Sequence, residues 1–536
     1  MISIQRGSRV THGVLGWRRI PGRPPDLTAL CARLRSEPYP WWLDSSLSDD
    51  PQGCFSFAGA SPPTVVRWLG DWLKIETVRG SFGDLATGLQ SIEAPDPFEA
   101  LRAVLPSLEN FDARGAPELP FLGGAVGYLG YELGAATESC LSVSQGPTAF
   151  ADAVILLVDR FVAIDHADQV GYLLAWGFDE DPLAARRNAE ASLDQMNRCW
   201  LSGLDQELVP QPEEGLVHQE MGRRLEILNA QVPERAQFSF SRSDYADAVK
   251  EIVGEIEQGN VYETNLTQKI SLPFDGDPFQ LYQSLRVNNP APFSAFFELP
   301  EGVIASSSPE RFLRLTPDGH VESRPIKGTR RRGRNDQEDE ALASELARSE
   351  KDRAENVMIV DLVRNDLGRV CELGSVQVDD LMSVERYAGV FQMVSSVGGR
   401  LRTECDGIDL LRASFPPGSM TGAPKIAAMQ LIDRLEPVRR GVYSGALGYF
   451  DLRGGLDLSV VIRTMLVEGG SAHFHVGGAV VMDSTVSGEH AESLDKARPM
   501  LSALARSDLF PFSRHDPSNS AVSDSIKVAP LECRDG

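Results

Sequence analysis

Cysteine is scarce in this chain: seven residues in 536, scattered singly, with no Cys-x-x-Cys pair. That excludes a disulfide framework and a zinc-ribbon signature, and it is the usage expected of reduced thiols in a cytosolic protein. Positive charge is also short. Against 76 Asp and Glu there are 52 Lys and Arg, a formal charge of −24, which argues against nucleic acid or an anionic membrane as a general partner because both attract basic surfaces. No run approaches the roughly 18 apolar residues of a membrane helix. The first 25 residues hold five arginines and no acid, features shared with transit peptides. The segment Val14-Leu15-Gly16-Trp17 nevertheless reads as the start of a strand, and we take the strand reading.

What is present indicates a globular protein: 42% apolar residues, with ten Tyr, seven Trp and 23 Phe. The length suits two or three domains, or one large two-lobed unit. Residues 1–203 read as mixed strands and helices, with strands at 41–46 and 54–59 joined by a turn-rich link, and another at 153–165. The glycine-rich run 121–131 has no phosphate-loop pattern, and its glycines fall where sheet backbones pack closely. No cluster of catalytic residue types appears here, so scaffold is the expected role. Residues 204–240, rich in Glu, Gln and Pro, read as a linker or insertion. Residues 241–506 form the second large region. A helix is expected from an N-cap at Ser243 to a stop at Gly259, then a strand over 261–271, one long helical stretch over 338–370, and strands over 441–450 and 456–466. The polar tail 507–536 has no periodicity and reads as disordered.

Against the acidic background one basic loop stands out, residues 324–334, which sets Lys327 among Arg324, Arg330, Arg331, Arg332 and Arg334. A lysine becomes a nucleophile only after losing a proton; neighbouring cations such as Arg324 and Arg330 favour that loss, as does removal from water. Gly328 lets the backbone bend beside it. The plainer reading is a solvated basic loop. Two acidic pairs are spaced i, i+3, Asp352 with Glu355, and Glu489 with Glu492 on a helix beginning near Ser487. Like charges at this spacing are unfavourable on a helix unless compensated. A hard divalent cation would compensate them, and all-oxygen donors suit Mg²⁺ rather than zinc; two solvated helix faces are the alternative. Arg463 has the geometry to clamp a carboxylate, and Gly477 with Gly478 can bring backbone N–H groups close to a ligand.

Taken together, these motifs resemble the chorismate-utilising enzymes, the family of anthranilate synthase component I and aminodeoxychorismate synthase component I. The resemblance runs to about residue 505. It is carried by residues 259–268, Ser308-Pro309-Glu310-Arg311-Phe312, Pro325-Ile326-Lys327-Gly328-Thr329, residues 352–366, residues 415–425, Val461-Ile462-Arg463-Thr464 and Glu489-His490-Ala491-Glu492. Within the family, the anthranilate branch typically has Ala where this chain has Lys327; the aminodeoxychorismate branch is similar to Pro-Ile-Lys-Gly-Thr, as here. Ser419-Met420-Thr421-Gly422 and Trp42-Leu43-Asp44-Ser45-Ser46 also resemble that branch. The water-activating lysine of isochorismate and salicylate synthases aligns with Glu263, which disfavours direct hydroxylation.

The resemblance implies an α+β, two-lobed fold with layered antiparallel sheets flanked by helices. It implies Mg²⁺ held by Glu355 and Glu492, with Asp352 and Glu489 acting through water, on the ring carboxylate of chorismate. Lys327 then attacks C2 while Glu310 protonates the departing C4 hydroxyl, and ammonia displaces the lysine to give 4-amino-4-deoxychorismate. Arg463, Tyr449, Thr421, Gly477 and Gly478 are the expected substrate-binding residues. Two departures stand out: Gln392 where many relatives have His, and Ala479 where a third Gly is usual. The chain has no Gly-x-Cys-x-Gly segment of a glutaminase, so a separate glutamine amidotransferase subunit is the expected ammonia source. In some relatives tryptophan binds the N-terminal lobe; here Ser45, Pro290 and Phe293 are candidates for such an effector pocket, with core packing as the plain alternative. The rival functions are anthranilate synthase component I and a catalytically inactive chorismate-binding subunit.

Overall fold

Long apolar runs become strands buried on both faces. Ala153–Val158 and Gly124–Leu129 are buried at every position and pair antiparallel with each other. A Cβ at Gly127 would stand 2.0 Å from the Val154 carbonyl oxygen, so this glycine allows the close backbone approach expected of the glycine-rich run. A computed structural model describes residues 12–47, 52–79, 88–105, 111–138, 148–204, 236–387 and 389–505. In it these two strands lie side by side in a 12-stranded sheet, and a second sheet has 13 strands. Among the described residues every pairing is antiparallel except the short one between His12–Arg19 and Phe111–Asp112. With helices packed on the sheets, the architecture is α+β, as expected.

Both sheets mix strands from the two halves of the chain. Trp41–Asp44 pairs with Phe293–Leu299 in one sheet, and Gly124–Leu129 pairs with Ala446–Asp451 in the other. The N-terminal 203 residues are therefore woven into the same two sheets as the rest. Of the expected insertion, 205–235 lies outside the described residues, but Gln237–Phe238 joins the sheet beside Glu263–Pro273. The polar tail from 507 also lies outside them.

Several local expectations are corrected. The helix expected from Ser243 is Arg242–Glu257, capped by Ser241, whose hydroxyl accepts from the Asp244 N–H; Gly259, at φ +78, follows its end. The single helix over 338–370 is two, Asp336–Arg348 and Glu350–Gly368. Ser349 in extended conformation ends the first, and its side chain caps the second by accepting from Asp352 N–H. The acidic helix near Ser487 is Val486–Leu504, capped by Thr485. The basic loop is largely the strand Ile326–Arg331, paired with Val390–Arg400 through a register shift between Ile326 and Thr329. The strand expected over 456–466 is two strands in different sheets, Leu456–Val460 and Thr464–Glu468, with Arg463 (φ +49) in the crossing between them. Gly302–Ser308 and Arg311–Leu315 are split between the sheets in the same way, with Glu310 in the crossing.

Candidate active site

The two crossings open onto one cavity of about 680 Å³, lined among others by Glu310, Lys327, Glu355, Arg463, Gly477 and Glu492. That is a volume suited to a small-molecule substrate. Glu310 and Arg463 come from the points where the chain changes sheet and Lys327 from the bulge in an edge strand. The acids come from the helices Glu350–Gly368 and Val486–Leu504.

Lys327 is buried, and its Nζ donates to Glu263 Oε1 at 2.7 Å. Burial alone would push its pKa down, but the carboxylates of Glu263, Glu355 and Glu310 outweigh that and hold it above the ordinary lysine value. The expectation that neighbouring arginines activate this amine is overturned, because each of them is neutralised locally. Arg324 binds Glu385; Arg330 binds Glu345 at 3.0 Å and Asp352 at 2.9 Å; Arg331 and Arg334 bind Glu338; Arg332 binds Asp339. Lys327 is thus surrounded by acids, and in the free protein it is an ammonium.

Burial lifts the pKa of Glu310 to about 7, against the opposing pull of a Ser419 hydrogen bond and of Lys327. A carboxyl group that keeps its proton near neutrality can serve as a general acid. Arg463 donates to Asn289 Oδ1 at 3.0 Å, its one hydrogen bond to a side chain among the described residues. Burial draws its pKa down and Glu310 raises it. Its free charge in the cavity suits a carboxylate of the substrate.

The four acids on the two helices are in different states. Burial lifts Glu355 to about 7; its Oε1 is buried without a hydrogen-bond partner, 3.8 Å from Lys351 Nζ. Glu489, also raised by burial, accepts from Ser484 at 2.7 Å through one oxygen and leaves Oε2 buried and unpartnered. Burial would raise Glu492, but Lys496 at 2.8 Å outweighs it and draws the pKa down. Asp352 binds Arg330. No three His, Cys, Asp or Glu side chains among the described residues converge at ligating distance. The donor set is nevertheless all carboxylate oxygen, two of its oxygens are buried without partners, and lysine ammonium groups lie against two of the acids. These residues fit a hard divalent cation. A side chain at Gly478 would stand 3.0 Å from Glu489 and 3.2 Å from Glu492, so glycine keeps the space beside the acids open.

Some expected residues lie elsewhere. Thr421 is fully buried and does not line the cavity, which its neighbours Ser419 and Met420 do. Tyr449 packs its ring against Phe57 and Phe121 and faces a second cavity of about 70 Å³, together with Ser45 and Phe293. Pro292, not Pro290, completes that lining; Ser45 donates to the carbonyls of Phe55 and Pro292. The tyrosine of the main cavity is Tyr443, stacked on His475 with centroids 5.1 Å apart. Neither was singled out from sequence. Tyr443 falls inside the strand expected over 441–450 but precedes the observed strand Ala446–Asp451, so period-two spacing could not show which way it faces, and His475 has a strand position indistinguishable from core. Gln392 and Ala479, the two departures, both line the cavity.

The sequence matches the chorismate binding enzyme family over residues 84–502. It is 40% identical over 498 residues to an aminodeoxychorismate synthase of Streptomyces griseus, covering 91% of this chain and 64% of that protein. To aminodeoxychorismate synthase component 1 of Salmonella typhimurium it is 34% identical over 489 residues, covering 90% of this chain and 97% of the relative. The crystal structure of anthranilate synthase component I from Streptococcus pneumoniae superposes with a TM-score of 0.66 at 29% identity, covering 83% of this chain and 92% of that one. The chain spans 64% of the length of the Streptomyces relatives. The sheets, the cavity at their crossings and these similarities lead to one conclusion: the chain belongs to the chorismate binding enzyme family.

Proposed function

We propose that the protein is an aminodeoxychorismate synthase component 1, which aminates chorismate at C4 to 4-amino-4-deoxychorismate on the way to 4-aminobenzoate and folate. The observation that carries this reading is Lys327, a buried lysine in the substrate cavity whose surroundings include Glu310, a carboxyl group able to hold its proton near neutrality. A lysine here splits one difficult substitution into two easier ones. Its amine adds to C2 while Glu310 protonates the C4 hydroxyl as it leaves; ammonia then adds at C4 and expels the lysine.

Arg463 holds one carboxylate of chorismate, and the crowding of Tyr443, His475 and Gly477 orients the ring. Glu355 and Glu492, with Asp352 and Glu489 behind them, would hold Mg²⁺. When bound, the ion would neutralise the ring carboxylate and stabilise charge developing there. Ammonia comes from a separate glutamine amidotransferase subunit, in keeping with the "component 1" naming of the relatives. The five free thiols among the described residues suit a cytosolic setting. No helix among the described residues is long and apolar enough to cross a membrane. The second cavity, with Ser45 and Phe293, holds only about 70 Å³, well short of what an aromatic effector such as tryptophan fills, and core packing accounts for it.

The test is to incubate the purified chain with chorismate, Mg²⁺ and ammonium and to identify the product by mass. Aminodeoxychorismate without pyruvate is expected. Predominant anthranilate with pyruvate would assign the chain to the anthranilate branch, and complete inactivity would favour a non-catalytic chorismate-binding subunit.

A further inference from the structure

Lys327 enters the cavity as an ammonium ion, which has no lone pair with which to attack carbon. A group within reach has to take its proton in every turnover. Three carboxylates act on this lysine: Glu263, Glu355 and Glu310. Glu310 has to begin protonated, because it supplies the proton to the departing hydroxyl. Glu355 belongs to the set that would hold the cation. Glu263 is the one hydrogen-bonded to Nζ, at 2.7 Å, with side-chain exposures of 9% for the lysine and 1% for the acid. Its second oxygen, Oε2, is buried with no hydrogen-bond partner. As the first residue of the strand Glu263–Pro273, paired with Ala423, Glu263 is held on a rigid element.

We propose that Glu263 is the base that removes the proton from Lys327 and returns it at the end of each turnover, an inference that rests on the lysine mechanism above. In a buried pair, transferring the proton replaces two charges by two neutral groups, which offsets the cost of holding both charges away from water. The Lys327 N–H bond breaks towards Glu263 Oε1, leaving a carboxylic acid and a free amine. The amine lone pair forms the N–C2 bond, the ring π electrons shift, and the C4–O bond breaks, that oxygen leaving as water with the proton of Glu310. Ammonia then forms the N–C4 bond while N–C2 breaks. Neutral Lys327 recovers its proton from Glu263, and the ammonium on C4 returns one to Glu310. Nothing is oxidised or reduced, and both carboxyl groups end as they began.

The experiment follows the covalent step. The chain is mixed with chorismate and Mg²⁺ without ammonia, quenched over time, and the chorismate-derived adduct on Lys327 is quantified by intact mass and peptide mapping. Glu263→Gln keeps the size and a hydrogen-bond acceptor but cannot hold the proton. At neutral pH its adduct is expected to form about 100-fold more slowly, the order of one general-base contribution, and above pH 7 its rate is expected to stay level where the parent's falls about tenfold per unit, because the gain in free amine as solvent takes over deprotonation offsets the loss of the Glu310 proton. Chorismate affinity is expected within about threefold of the parent, since Glu263 acts in the transition state rather than in ground-state binding. Glu263→Asp, which keeps an acid, is expected to retain at least about a tenth of the parent rate. If Glu263→Gln matches the parent rate and pH profile, or if Glu263→Asp is as slow as Glu263→Gln, Glu263 is not the base, while the proposed function stands. If the parent converts chorismate with no adduct on Lys327, the lysine mechanism itself fails and takes this inference with it.

Discussion

Lys327 shows how far a single residue type can be read. The motif predicts a nucleophile, but its protonation state was not legible there, because that depends on Glu263, 64 positions earlier, and on helix acids brought in by the fold. Lys327→Ala is expected to abolish amination while leaving chorismate affinity nearly unchanged, as binding by equilibrium dialysis or fluorescence will show; unchanged turnover would remove the lysine from the mechanism. Glu310 allows a pH test. Its pKa is raised to about 7, and in the proposed mechanism its protonated form is the active one, so the contribution is expected to be present below that pH and lost as pH rises through it. The kcat/KM for chorismate, measured between about pH 6 and pH 9, is expected to fall about tenfold per unit on the alkaline side, and Glu310→Gln is expected to lose roughly 10²–10⁴-fold. A profile flat across pH 7 would count against Glu310 as the acid.

At the scale of elements, the site depends on two helix starts and one bulged strand. Ser349 and Thr485 cap the helices so that Asp352, Glu355, Glu489 and Glu492 fall in or just after their first turns. The i, i+3 spacing was visible in the sequence, whereas the cavity that Asp352, Glu355 and Glu492 share and the lysines lying against Glu355 and Glu492 were not. Glu355→Gln and Glu492→Gln are each expected to raise the Mg²⁺ concentration for half-maximal activity at least about tenfold, by removing one charged oxygen ligand; if neither does, these helices do not hold the cation. Gly328 is the hinge of the bulge. It sits at φ +88, and a Cβ there would stand 2.9 Å from Asp352 and Leu346. Gly328→Ala is expected to cost about 1–2 kcal/mol from the left-handed backbone alone, and by displacing Lys327 to lower kcat more than the melting temperature suggests, which steady-state kinetics beside thermal unfolding will show.

For the whole molecule the partner is the open functional element. The isolated chain is expected to use ammonium salts but not glutamine, and to gain glutamine-dependent activity when a glutaminase subunit is added. Activity with glutamine alone would remove the need for that subunit. The sequence by itself determined the family, the α+β class, the acid pairs and the lysine, because each is written in residue type and short-range spacing. Only the tertiary structure decided which tyrosine lines the large cavity, since Tyr443 and Tyr449 lie six residues apart yet face different cavities. It also decided that 456–466 is a crossing between sheets rather than one strand, and that the arginines beside Lys327 are neutralised while Glu263 holds the lysine. The physical reason is common to all three. Burial and electrostatics depend on which distant segments are brought together, and strands of similar composition carry no record of which of two sheets they will join.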